Sequence, residues 1–413
     1  MTAAGPQTKA RYELDGSRES SKLSLLLLRD TAAVPGHGSV ARTNCVNYDQ
    51  NCVDHDGAII SYNWMGFIRP TSGPWRKEID VHPGVNLNDT LMLITVGICT
   101  FNRAESLRGT LDSLAAMRVP SDLAWEIVIV NNNCTDHTDD LIGQYVGLLP
   151  VRREFEPVPG KSNALNRVID MARGEYIVWT DDDVVVDPGW LTAFVEAFRR
   201  WPDAAVFGGR IRPRYEAPVA KWVAESETVL GGPYAIRDFG DRPYPLSAID
   251  EDHFPYGANW AVRAIEQRAF RYNPELGPIA NKMRVQEDTD VIRRLLRSGA
   301  TGYWIPNAIV HHRIGRERQT IRYIAAYYEQ WGETWAFLNA SVTAAAPFLC
   351  GIPRRIWPRL LVWWALYRFC RFILPAPVWV PYLKAFYYNK GLLRFWLQRR
   401  IETQGTVDLE RRV

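Results

Sequence analysis

Hydrophobic and polar positions follow two habits along this chain. Leu91 to Cys99 is an apolar, β-branched run, and Ile127 to Val130 and Tyr176 to Trp179 are apolar throughout, as strands buried on both faces of a sheet require. After the first come Thr100 to Arg103 and then Leu107, Leu111 and Leu114 at helical spacing; after the second come Asn131 to Asp136 and a helix expected to reach Val146. Ala164, Leu165, Val168 and Ile169 mark the inward face of another helix, beginning near Lys161. Strand, polar turn and helix in alternation predict βαβ units and a mainly parallel sheet, whose ligands bind outside the carboxyl ends of its strands. Thr100 to Arg103, Asn131 to Asp136 and Asp181 to Asp183 should then converge on one crevice. Further on, a helix through Val291, Leu295 and Leu296 stops at Gly299, and Trp304 to Val310 reads as a last strand ending in His311-His312-Arg313.

The strand at Tyr176 runs into three adjacent carboxylates, Asp181, Asp182 and Asp183. Like charges so close persist where a cation gathers them, and hard oxygen ligands suit Mg or Mn. If the strand continues, Asp181 and Asp183 point the same way and could hold a divalent cation against a phosphate ligand. Asp187 is placed to cap a helix whose first residue is Pro188. Gly160-Lys161-Ser162 resembles the tail of a phosphate loop, but Phe155 stands where that pattern needs glycine, which excludes it. Lys161 at a helix start is either an anion contact or a solvated lysine. A second acid cluster, Glu287, Asp288 and Asp290, complements a helix N-terminus and can also supply a base.

Taken in order, Thr100-Phe101-Asn102-Arg103, Asn132 to Asp136, Gly160-Lys161 with Ala164-Leu165-Asn166, and Thr180 to Asp183 with Pro188 and Trp190-Leu191 resemble the signature of the family 2 glycosyltransferases. The resemblance implies the GT-A fold, a nucleotide sugar donor, a divalent cation and inversion at the anomeric carbon. Carried over by position, it implies that Thr100, Asn102, Arg103, Asn131, Lys161, Asp181 and Asp182 bind the nucleotide. Asp183 would bind the metal, and His312 is either a further ligand or a structural histidine. Gly257, Asn259 and Trp260, within Tyr256 to Arg263, match the element that lines the sugar pocket. Asp288 matches the catalytic base and Glu287 its neighbour that positions the acceptor. Many members carry an acid at the position of Asn131. An amide presents both a donor and an acceptor, matching uracil, so a UDP sugar is favoured over a GDP sugar. The Gln-x-x-Arg-Trp element of processive members is absent, since Trp331-Gly332-Glu333 follows Gln330, which favours transfer of single sugars. The alternatives are a nucleotidyltransferase on a related fold, which is expected to carry a glycine-rich basic loop after the first strand where this chain has Thr100-Phe101-Asn102-Arg103, and a catalytically inactive membrane-associated scaffold, whose expected mark is loss of the acids that are present here.

Length and composition limit the alternatives. With 413 residues and 47% hydrophobic residues the chain can form one catalytic domain with additions, and a net charge of +3 does not suggest nucleic acid as a partner. Six unevenly spaced cysteines are no disulfide framework, which fits a cytoplasmic setting. Residues 1–90 show no sustained periodicity and are expected to be irregular or disordered. Met65 and Met92 offer alternative starts, Leu25 to Leu28 is too short for a secretion signal, and Cys45, Cys52 and His55 match no zinc spacing. The expected organisation is this leader, a GT-A domain over 91–320 with a nucleotide half (91–210) and an acceptor half (211–320), and an aromatic, basic, helical tail over 321–413. Arg368 and Arg371 interrupt the tail's best candidate span, each costing roughly 2.5 to 3.5 kcal/mol at a bilayer centre. Val362, Leu366, Phe369 and Ile373 form a stripe that either lies in a membrane interface or packs on the catalytic core. The first alternative makes the protein peripheral at the inner face of the cell membrane, acting on a lipid-linked or saccharide acceptor.

Overall fold

The computed structural model describes residues 92–279, 282–341 and 347–410, together with the paired strands Cys52–Val53 and Ile59–Ile60. The readings made of Cys45, His55 and the remainder of the leader apart from these two short strands lie outside the described residues. The chain divides into two units, Met1–Pro83 and Gly84–Val413, and the second holds the main sheet and, among the described residues, every long helix.

Strands β1 (Leu93–Thr100), β2 (Ala124–Asn131), β3 (Val151–Phe155) and β4 (Tyr176–Thr180) run parallel in the spatial order β3-β2-β1-β4. Beyond β4 the sheet is mixed. β7 (Asn259–Arg263) runs antiparallel between β4 and β6 (Val206–Tyr215), β8 (Gly302–Ile314) lies parallel to β6, and β5 (Val184–Val186) runs antiparallel along β8. The long apolar runs have a simple cause. Tyr176 and Val178 of β4 enter one core with helices α1 (Ala104–Ala115) and α4 (Trp190–Arg200), while Ile177 and Trp179 enter the other with α3 (Lys161–Met171). The second core also takes Val291 and Leu295 of α6 (Glu287–Arg297). A sheet covered on both faces needs apolar residues at both parities. The fold is the GT-A type: a mostly parallel, mixed sheet between helices with a helical C-terminal region.

Three local expectations are corrected. β4 stops at Thr180, so strand alternation does not place Asp181 with Asp183; Asp182 and Asp183 form a turn and β5 leaves for the far edge of the sheet. Asp187 does not cap α4, which starts after Gly189. Its own N–H still donates into the sheet, to the Ile309 carbonyl at 3.0 Å, and its carboxylate meets His311 Nε2 at 2.8 Å. His311, His312 and Arg313 lie within β8 rather than past its end, because pairing with β6 resumes beyond an irregularity and continues to Ile314.

The C-terminal region is α7 (Ile321–Leu338), α8 (Ile356–Ile373) and α9 (Ala376–Glu410). Ile324 and Tyr328 of α7, Tyr367 and Cys370 of α8, and Trp379, Val380 and Leu383 of α9 share one apolar cluster with Leu230, Tyr234 and Ile314. Among the described residues no helix is long and apolar enough to cross a membrane.

Candidate active site

The carboxyl ends of β2, β1 and β4 are neighbours and open into a cavity of about 1360 Å³. Its wall includes Thr100 and Arg103 from the first turn, Lys161 at the start of α3, Asp181, Asp182 and Asp183 after β4, Gly257 before β7, Glu287 and Asp288 on α6, and His312 of β8. The two acid clusters, far apart in the sequence, therefore face one space.

At the first cluster, Arg103 Nη1 donates to Asp182 Oδ1 at 3.1 Å and to Asp183 Oδ2 at 3.2 Å, and Thr100 Oγ1 donates to Asp182 Oδ2 at 2.8 Å. Arg318 Nη2 donates to Asp183 Oδ2 at 2.6 Å, and Arg318 Nη1 donates to His312 Nε2 at 3.1 Å. Both carboxylates are buried, yet their partners drive them apart. Burial pushes Asp182 up, with Arg103 only partly opposing it and Asp183 adding its repulsion. For Asp183 burial is outweighed by His312, Arg318 and Arg103, which hold it well below the usual carboxylate range.

Lys161 joins the clusters. Its Nζ lies 3.2 Å from Asp181 Oδ1 and 3.2 Å from Glu287 Oε1. Burial disfavours the ammonium, but Asp181, Glu287 and Asp288 more than compensate and keep it charged. Asp288 is pushed up to about 7, first by burial, with Lys161 opposing and Glu287 and Asp181 adding repulsion. Gly257 makes room for it: a Cβ there would fall 2.0 Å from Asp288 Oδ2. Just before α6, Gln286 takes a left-handed backbone, φ 78°, which costs a non-glycine residue about 1 kcal/mol and is the kind of strain that gathers at working sites. Burial pushes the Cys99 thiol well up, so it stays protonated at the cavity wall.

Four residues expected at the site do other work. The Asn131 amide is spent internally: Nδ2 donates to Asp139 at 2.7 Å and Oδ1 accepts from the Cys134 N–H at 2.7 Å. It is buried and has no free edge for a base, so the reason for favouring UDP lapses. Asn102 Oδ1 accepts from the N–H groups of Thr135 and Asp136, holding the two turns together. Asn259 is fully buried, donating to the carbonyls of Arg210 and Ala308 and accepting from Trp190 Nε1. Trp260 is fully buried in the core beside α3 and α6. Asn131 and Asn259 are buried amides whose hydrogen bonds are taken by neighbours in space, whereas Asn102 is exposed and Trp260 Nε1 has no hydrogen-bond partner among the described residues.

Other wall residues escaped sequence reasoning. Arg318 had one signal, a cation six residues after His312. Tyr327, Trp331 and Lys384 come from α7 and α9, and no local pattern tied them to the sheet. Lys384 stacks over the rings of Tyr328 at 5.6 Å and Trp331 at 5.2 Å, and burial lowers its pKa.

The implied divalent cation can be tested against the donors. Asp183 Oδ1 and His312 Nε2 are 3.4 Å apart and both residues are buried. Among the described residues no group of three or more His, Cys, Asp or Glu is gathered at one point. A carboxylate and an imidazole suit Mn or Mg when the remaining positions go to phosphate oxygens and water, which is how such ions bind beside nucleotides. The residues fit a shared site of that kind and not an all-protein cage.

The chain is similar to several known proteins. Residues 95–260 match the family described as glycosyl transferase family 2. The succinoglycan biosynthesis protein ExoM of Rhizobium meliloti is 28% identical over 257 residues, covering 61% of this chain and 77% of that protein. The poly-beta-1,6-N-acetyl-D-glucosamine synthase of Staphylococcus aureus is 28% identical over 149 residues, and the match covers 34% of its length. Among solved structures, the mannosyltransferase PcManGT of Pyrobaculum calidifontis aligns with a TM-score of 0.46 at 17% identity, covering 73% of this chain and 84% of that one. S. aureus TarS 1-349 aligns with a TM-score of 0.43 at 13% identity, covering 74% and 92%. The sheet, the shared acid cavity and the family match define a glycosyltransferase. Its residues 95–260 are the part similar to the family 2 glycosyltransferases.

Proposed function

We propose that the enzyme moves one sugar from a nucleoside diphosphate sugar to a saccharide or lipid-linked acceptor, with inversion, and that Asp288 is the base. The observation that carries this reading is the Asp288 carboxylate, buried in the same cavity as Asp182 and Asp183 and pushed up to about 7. A base serves best when its pKa lies near the working pH. The acceptor hydroxyl gives its proton to Asp288 as its oxygen bonds to the anomeric carbon, and the bond from that carbon to the diphosphate oxygen breaks. One displacement inverts the centre. Glu287, tied to Lys161, positions the acceptor, while Arg103, Lys161 and Arg318 place positive charge where the diphosphate leaves. Asp183 and His312 would hold the cation, which when bound neutralises the departing diphosphate. The names of the relatives, a succinoglycan biosynthesis protein and a polysaccharide synthase, support a saccharide product. The altered Gln330 element supports single transfers.

Asp288→Asn is expected to lower turnover roughly 10²- to 10⁴-fold while donor binding, followed by calorimetry, is unchanged. Turnover at the native rate in that variant would remove Asp288 from the role. Screening nucleotide sugars one by one with Mn or Mg identifies the donor.

A further inference from the structure

Helix α8 presents its apolar side outward. Leu361, Phe369, Phe372 and Ile373 are 67, 69, 74 and 62% exposed, whereas Ile356, Tyr367 and Cys370 are its buried residues. At 100° per residue, Trp357, Leu361, Val362, Phe369, Phe372 and Ile373 fall within an arc of about 160°. Arg359 and Arg371 flank that arc on its two sides, and Arg368 sits inside one edge. Large hydrophobic residues left in water over five turns of helix mark an interaction surface rather than ordinary exposure.

The charges around the arc identify what covers it. Residues 347–400 contain ten Lys and Arg and no Asp or Glu. Arg354, Arg355, Arg359, Arg368 and Arg371 have no carboxylate partner among the described residues; Arg371 donates only to the Tyr367 hydroxyl, and Arg368 stacks on Phe372 at 5.7 Å. Long cationic side chains bordering an apolar strip can lift their heads to phosphate level while the strip sinks among acyl chains. Arginines on and beside α8 without carboxylate partners among the described residues gain further from an anionic leaflet, unlike Lys390 and Arg394 of α9, which pair with Glu329 and Glu333. We infer that α8 lies in the plane of an anionic lipid bilayer, with its outward apolar arc buried at the headgroup boundary. The sequence-level stripe through Leu366 was only partly right: Leu366 is half-buried, and the lipid-facing set includes Leu361 and Phe372 instead.

The consequence reaches the active site. Tyr367 and Cys370 on the inner side of α8 pack in one cluster with Tyr328, Trp379 and Leu383, and Lys384, next along α9, lines the cavity. The lipid-facing helix and part of the cavity wall are thus one packed body, suited to an acceptor delivered at a membrane surface.

Flotation of the full chain with vesicles tests the inference without any donor or acceptor, so its result is independent of the catalytic reading. The protein is expected to float with vesicles of phosphatidylcholine mixed with phosphatidylglycerol, less with phosphatidylcholine alone, and less in raised salt. Phe369→Ser with Phe372→Ser should weaken partitioning at least ~10-fold, and Arg355→Gln or Arg359→Gln about 5-fold each. All four positions are exposed, and circular dichroism with a melting curve verifies folding. No flotation with anionic vesicles at low salt, or flotation that the Phe variants leave unchanged, overturns the proposal. So does self-association in solution that the same Phe variants abolish, since a second copy would then be the occupant.

Discussion

Asp288 is a buried carboxyl whose surroundings make it costly to ionise. With its pKa at about 7, the base form is scarce in acid, so kcat/KM should rise with pH through about 7 and level off above it. Lys161 opposes the upward shift, so Lys161→Met should move that limb to higher pH, in addition to any loss of donor affinity. A limb at an ordinary carboxylate pH would contradict the assignment. The same shift has a stability signature. Between about pH 4 and 7 the native chain keeps a proton that the unfolded chain has released, so this group makes stability fall as pH rises through that window. Asp288→Asn should flatten that slope in denaturant titrations. Gly257→Ala places a methyl group against Asp288 Oδ2 and must shift the carboxylate. Turnover is expected to fall at least ~10-fold with donor affinity retained. Native kcat in that variant would show that the base tolerates displacement.

Between elements, the sharpest constraint is the crossing of α7 and α9. A Cβ on Gly332 would lie 2.0 Å from the Tyr388 carbonyl oxygen, and one on Gly391 would lie 1.9 Å from the Glu329 carbonyl oxygen. Backbone meets backbone from both sides, and neither can yield as a flexible side chain would. Replacing a mid-helix glycine with alanine ordinarily stabilises by about 1 kcal/mol. Here the sign should reverse: Gly332→Ala or Gly391→Ala should destabilise by about 2 kcal/mol or more, read as a lower melting temperature. Unchanged or raised stability would mean that the helices do not meet at these glycines. Lys390 and Arg394 fix the same crossing from its surface, pairing with Glu329 at 2.9 and 3.8 Å, and contribute less because they are exposed.

At the level of the whole chain, the helical region is part of the enzyme's body. It covers Leu230, Tyr234 and Ile314, and it lends Tyr327, Trp331 and Lys384 to the cavity. A truncation after Ala346 would strip α7 of its partner helices. The expected product aggregates or loses transfer activity, whereas a monodisperse truncated protein with full turnover would show that the region is dispensable. Much of this architecture was legible beforehand. Apolar runs named β1, β2 and β4, helical spacing named α1, α3 and α6, and the ordered polar turns between them named the family and both acid clusters. These signals are local: the parity of a strand and the period of a helix are written within a few residues, and burial on both faces keeps the strands mostly apolar, with Thr95 and Glu126 bonded to each other as exceptions. The fate of each polar group was not local. Asn131 and Asn259 looked like ligand contacts, yet partners in neighbouring turns and strands took up their amides, and Asn102 spends its Oδ1 on the adjoining turn. Arg318 and Lys384 carried no motif, yet folding brought them to the cavity. Which face of α8 would point outward also depended on what α9 and α7 left uncovered. Hydrogen-bond satisfaction and burial are settled among residues distant in the chain, and that is why the sequence showed where the site lies while the folded chain chose which side chains serve it.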